Sequence, residues 1–117
     1  MRGLVAAVVT PMDAKGDLDL GVVPRVVDYL ASKGISGIYI AGSTGEGMSL
    51  TDEERRGVAE AYVGAAKGRM KSFVQVGHNS LRASADLAGH AESIGADAVS
   101  ATPTGYFKVS GEAELVE

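Results

Sequence analysis

The chain is 117 residues long with a mass of 12.0 kDa, room for one small domain with a core and too little for two. Hydrophobic residues make up 45% and charged residues 22%, a globular balance that excludes a disordered chain. A net charge of −4 sets aside a phosphate-backbone binder, which needs a basic stripe, and the lack of cysteine removes disulfide frameworks and thiolate chemistry and points to a reducing cytoplasm.

"GLVAAVVT" (3 to 10) is an apolar, β-branched run stopped by Pro11, which suits a strand buried on both faces. Pro11 and Asp13 cut it far short of a membrane span, and no signal-peptide cleavage pattern follows it. Val22, Val23, Val26, Val27 and Leu30 recur at helical spacing, and Lys33-Gly34 supplies a basic last turn and a stop. "GIYIAG" (37 to 42) reads as a second strand. The following helix opens with Thr51 and Glu54 in capping-box spacing, buries Val58, Ala59, Tyr62, Val63 and Ala66, and ends at Gly68. "SFVQVG" (72 to 77) is a third strand, and 79 to 95 a third helix with Ser80 as cap and Leu87, Ala88, Ala91 and Ile94 inward. "ADAVSATP" (96 to 103) is a fourth strand, and "SGEAELVE" starts a fourth helix.

The order βαβαβαβ with short connections predicts an α/β fold of parallel strands covered by helices. It fits either an open doubly wound sheet or the N-terminal half of a (β/α)8 TIM barrel, and the unfinished helix at the end favours the barrel. Residues 1 to 117 are therefore expected to form a single partial domain of about four βα units.

In such folds ligands sit beyond the carboxyl ends of the strands, where "AGSTGEGMSL" (41 to 50) lies. Gly42 and Gly45 allow close approach of a ligand, and Ser43 and Thr44 add hydroxyls beside their own N–H groups. The result is an anion cradle suited to a carboxylate or a phosphate; a purely structural turn is the alternative. The loop has no lysine where a Walker motif needs one, and it lacks the dinucleotide glycine pattern.

"GIYIAGSTGEGMSLTDEE" (37 to 54) resembles the signature of the dihydrodipicolinate synthase and N-acetylneuraminate lyase family, pyruvate-dependent class I aldolases built on a (β/α)8 barrel. "VVTPMDAKGDLD" (8 to 19) resembles the family's opening segment with Met12 in place of the usual aromatic, "VGHNS" (76 to 80) its third strand end, and "TPTGYFKVSGEAEL" (102 to 115) the segment after the fourth strand. The resemblance implies that Ser43 and Thr44, with Gly42, hold the carboxylate of pyruvate, that Ser43 also passes protons, and that Tyr106 reaches toward the active site of a neighbouring subunit. Thr104 and Gly105 depart from the family's proline and aromatic there, which bears on the acceptor side of the pocket. The resemblance also implies a homo-oligomer, dimer or tetramer, acting on pyruvate and an aldehyde or their condensation product, with no cofactor because a lysine imine serves as electron sink.

That lysine belongs to the family's sixth strand, and a proton-relaying tyrosine to its fifth. Lys15, Lys33, Lys67, Lys71 and Lys108 fall in turns, at helix ends, at a strand edge and in a loop, solvated settings unsuited to an imine former. The 117-residue polypeptide is thus expected to be inactive alone and to self-associate through its open sheet edges. A non-catalytic βα module that binds a small anion or a partner chain is the alternative. His78 reads as a surface or capping residue and His90 as solvent-facing, and two isolated histidines with scattered acids make no metal constellation. Glu46 is expected to bond loop backbone or meet the next helix start, Asp52 and its acidic neighbours to favour a helix dipole, and Tyr39 and Tyr62 to serve packing.

Overall fold

A computed structural model describes residues 3–42, 45, 47–78 and 80–101. Four strands, β1 (Val5–Ala7), β2 (Gly37–Ile40), β3 (Lys71–Gln75) and β4 (Ala98–Ser100), alternate with three helices, α1 (Val23–Ser32), α2 (Asp52–Ala66) and α3 (Leu81–Ser93). Short 3₁₀ turns at Leu20–Val22 and Gly47–Ser49 lead into α1 and α2.

Local chemistry explains where each helix begins and ends. Pro24 sits in the first turn of α1, where its missing N–H would have no helical partner anyway. Thr51 and Glu54 close the anticipated capping box at α2: Oγ1 of Thr51 accepts from the Glu54 N–H at 3.1 Å, and the Glu54 carboxylate accepts from the Thr51 N–H at 2.9 Å. Ser80 caps α3 through the Ala83 N–H at 3.2 Å. Beyond α2 the chain turns at Gly68, whose φ of +79° is a left-handed conformation that side chains resist.

The strands pair in parallel in the order β1-β2-β3-β4, with Val5 opposite Gly37, Gly37 opposite Lys71 and Phe73 opposite Ala98. A right-handed crossover repeated in one direction carries every helix to the same face of the sheet, whereas a doubly wound sheet reverses direction and covers both. Burial follows this rule. Val8, Ile38, Ile40, Val74 and Val76 are buried in one core with Val23, Val27, Val58, Tyr62, Val63, Leu87 and Ala91 of the helices. The alternate strand positions, Tyr39 and Phe73, are only partly covered, and Val5 and Val9 are 45% and 52% exposed. The described elements are therefore consecutive βα units of a barrel wall, with helices outside.

Several details depart from the expectations. β4 covers only Ala98–Ser100 of the expected 96 to 103. The first strand is not covered on both faces, since Leu4, Val5 and Val9 are exposed. β1 is three residues long rather than eight: past Ala7, among the described residues, one further backbone bond, from the Val8 N–H to Tyr39 O at 3.1 Å, holds it to β2. His90 is not solvent-facing; its ring is 17% exposed and its Nε2 lies 2.8 Å from Glu60 Oε1, so it joins α3 to α2. The expected fourth helix lies outside the described residues.

Candidate active site

The carboxyl ends of β1, β2 and β3 are tied together from behind by buried polar groups. Just past β1, the Tyr62 hydroxyl donates to Val9 O at 2.6 Å. Tyr62 is fully buried, and desolvation pushes its phenol up to about 12. Thr10, also buried, donates from Oγ1 to Gly45 O at 2.5 Å. The first strand is thus joined directly to the glycine loop.

After β2 the loop doubles back on itself. Ala41 is buried and holds a left-handed φ of +59°, a conformation that costs a side chain roughly 1–2 kcal/mol. The Gly47 N–H donates to Gly42 O at 3.1 Å. A Cβ on Gly47 would stand 1.9 Å from Ala41 O, so only glycine permits this closure. Gly42 is buried two residues past the end of β2, where a Cβ would collide with the Tyr39 ring. Ser43, Thr44 and Glu46 lie outside the described residues, as do Asn79, Thr104, Gly105, Tyr106 and Lys108.

At β3 the dominant group is one the sequence reading passed over. Arg55, in the first turns of α2, is 3% exposed. Its Nη1 donates to Gly77 O and its Nη2 to Gln75 O, each at 2.8 Å. The Gln75 side chain accepts in turn from the Gly77 N–H at 2.7 Å. Arg55 Nε is enclosed with no hydrogen-bond partner among the described residues. Desolvation lowers the guanidinium pKa, and the charge of Asp52 partly restores it.

Asp52 also receives His78, whose Nε2 lies 3.0 Å from its Oδ1. His78 Nδ1 accepts from the Ser80 N–H at 2.9 Å, which leaves Nε2 as the donor to Asp52 in the neutral ring. His78 thus bonds the backbone just ahead of α3, whose cap is Ser80. Ser84 donates to Val76 O at 2.8 Å, and across the sheet the Tyr39 hydroxyl donates to Ser100 Oγ at 3.2 Å. Tyr39 does more than pack.

A signal for Arg55 is present in the sequence. Arg55, Val58, Ala59 and Tyr62 fall at i, i+3, i+4 and i+7, the apolar stripe that buries α2. The acids and Arg56 around it disguised the position as a solvated helix start.

Lys15, Lys33, Lys67 and Lys71 are all exposed. Lys33 lies 5.5 Å from the centre of the Tyr29 ring and Lys71 lies 3.8 Å from Asp97. None of the four has the buried setting an imine-forming amine requires. Among the described residues no group of three or more His, Asp or Glu side chains could hold a metal ion.

The arrangement is a rim at the carboxyl end of a parallel sheet, with a tight turn whose glycines make room for the Tyr39 ring at Gly42, for Val8 O and Thr10 at Gly45, and for Ala41 O at Gly47. Residues 1–115 match the Dihydrodipicolinate synthetase family. N-acetylneuraminate lyase A of Xenopus laevis is 45% identical over 118 aligned positions, spanning 99% of this chain and 39% of the relative. The structure of Proteus mirabilis N-acetylneuraminate lyase superposes with a TM-score of 0.95 at 35% identity, over 99% of this chain and 39% of that one. YagE, a prophage protein of E. coli K12 assigned to the dihydrodipicolinic acid synthase family and solved in complex with pyruvate, superposes with a TM-score of 0.91 at 31% identity, over 97% and 38%. The chain thus spans about two fifths of the length of the relatives it matches.

Proposed function

The chain belongs to the dihydrodipicolinate synthetase family, and from that membership we propose that it supplies the first four βα units of a pyruvate-dependent class I aldolase or lyase. Residues 1–117 form a single partial domain in this reading, with the remaining units of the barrel outside it. The observation that carries the proposal is the glycine loop: a turn closed by Gly47 and anchored by Thr10 at the carboxyl end of β2, in a chain whose relatives include a structure in complex with pyruvate.

In the proposed reaction a neutral lysine amine adds to the ketone of pyruvate, and loss of water gives an imine. Removal of a methyl proton yields an enamine, whose carbon attacks an aldehyde; hydrolysis then frees the lysine, and the reverse sequence cleaves the same bond. Ser43 and Thr44 hold the carboxylate of pyruvate beside Gly42, whose missing side chain makes room for the Tyr39 ring. Ser43 also passes a proton, while Tyr106 reaches into a neighbouring subunit's site, which makes the working form a homo-oligomer. The imine is the electron sink, so no metal or organic cofactor is needed. The exposed Lys15, Lys33, Lys67 and Lys71 are not the imine former, which is assigned to the sixth strand of the barrel.

We place the enzyme in the cytoplasm, in keeping with a cysteine-free chain. No helix among the described residues is long and apolar enough to cross a membrane.

Borohydride trapping with pyruvate tests this reading. The natural gene product should gain one reduced pyruvyl group on a lysine, and the isolated 117-residue polypeptide should gain none. An adduct on the polypeptide would place the imine within these residues and overturn the assignment to the sixth strand. Pyruvate binding without any adduct in the natural product would favour a non-catalytic module.

A further inference from the structure

A buried arginine at the start of a helix is an unfavourable choice that calls for a reason. The N-terminal end of a helix carries a positive partial charge, and burial strips the guanidinium of water. Arg55 accepts both penalties, and its Nε–H has no partner among the described residues. What it gains is a grip on one place: Gln75 O, the last carbonyl of β3, and Gly77 O in the loop that follows.

That place is bounded on both sides by the candidate site. α2 begins at Asp52, directly after the glycine loop, and its first turn is fixed by the Thr51–Glu54 capping box. Gly77 and His78 open the next loop of the rim. Arg55 spans the gap between them. Gln75 reinforces the same turn by accepting from the Gly77 N–H, and the Asp52–His78 pair adds a second tie from the helix start to the loop.

We propose that Arg55 is a positioning residue that sets the separation of the second and third βα loops, and with it the geometry in which pyruvate meets its lysine. The proposal rests on the aldolase reading above. A planar guanidinium suits the task because its two Nη groups reach two carbonyls in a fixed fork; a lysine ammonium is a single point donor.

The test uses the natural gene product with Arg55→Met and Arg55→Lys, at a temperature well below the melting point of each protein. The rate of borohydride-trapped adduct formation is measured per folded site, with kcat and KM for pyruvate. A displacement on the order of 1 Å can cost about a hundredfold in rate, so Arg55→Met should lose at least about tenfold in trapping rate and kcat. Arg55→Lys should recover part of that loss. A purely structural role would lower the melting temperature and leave the rate per folded site unchanged. Should Arg55→Met fail to fold, Gln75→Met, which removes only the acceptor for the Gly77 N–H, should slow trapping in the same direction. Wild-type rates in folded variants would overturn the inference alone. A wild-type protein that forms no adduct would overturn the aldolase reading and this inference with it.

Discussion

Tyr62 shows how one side chain can serve two purposes at this rim. Its ring fills the core between α2 and the sheet, and its hydroxyl holds the end of β1 through Val9 O. Because burial raises the folded-state phenol to about 12, the unfolded chain releases this proton first, near pH 10. The stabilisation is complete below pH 10 and disappears as pH rises through about 12. Two pK units correspond to roughly 2–3 kcal/mol. Urea unfolding measured from pH 9 upward should therefore show a falling midpoint, and Tyr62→Phe should flatten that fall while losing about 1 kcal/mol at neutral pH from its hydrogen bond. An unchanged pH slope in Tyr62→Phe would assign the alkaline loss to another group. At this scale the sequence was a partial guide. The apolar stripe through Val58, Ala59 and Tyr62 was plain, but the hydroxyl's partner is 53 positions away and no local pattern encodes it. Arg55 was hidden for a related reason: its charge suggested solvent, while its place on the stripe pointed inward.

Elements were easier to read than residues because their signals are local. The T-x-x-E capping box, the serine cap of α3 and the glycine stop after α2 each act within a few residues, and all are observed. Thr51→Ala should cost about 1 kcal/mol, seen as a lower urea midpoint with the slope unchanged. The effect should be largest on α2, since that cap fixes the turn from which Asp52 and Arg55 project. Strand ends were less legible. β1 reads as eight residues by composition, yet its length is decided by how far β2 runs beside it, a property of two segments remote in sequence. The His90–Glu60 contact between α3 and α2 likewise depends on how two helices pack, which the spacing within either helix does not reveal.

The described residues form a sheet with one finished face. Composition and element order left an open doubly wound sheet and a barrel wall both available, since strand order across the sheet is not written in any single segment. The unreversed sequence of four neighbours and the burial of one set of alternate strand residues decide for the wall. The other set, with Val5 and Val9 about half exposed and Tyr39 and Phe73 partly so, presents apolar surface of the kind that drives association. The isolated 117-residue polypeptide should therefore sediment as larger species as its concentration rises. A monomer that persists over a hundredfold range of concentration would show that this face is covered within the polypeptide.

The unreversed strand order also bears on how the chain acquires its structure during synthesis. Each strand lies beside the one made just before it, and each helix is the link between the two. No pairing among the described strands waits for a segment more than one unit downstream. Loops closed this way are short, so the entropy lost at each step is small. The ribosome can thus release the wall one unit at a time, with every new strand meeting an edge already in place.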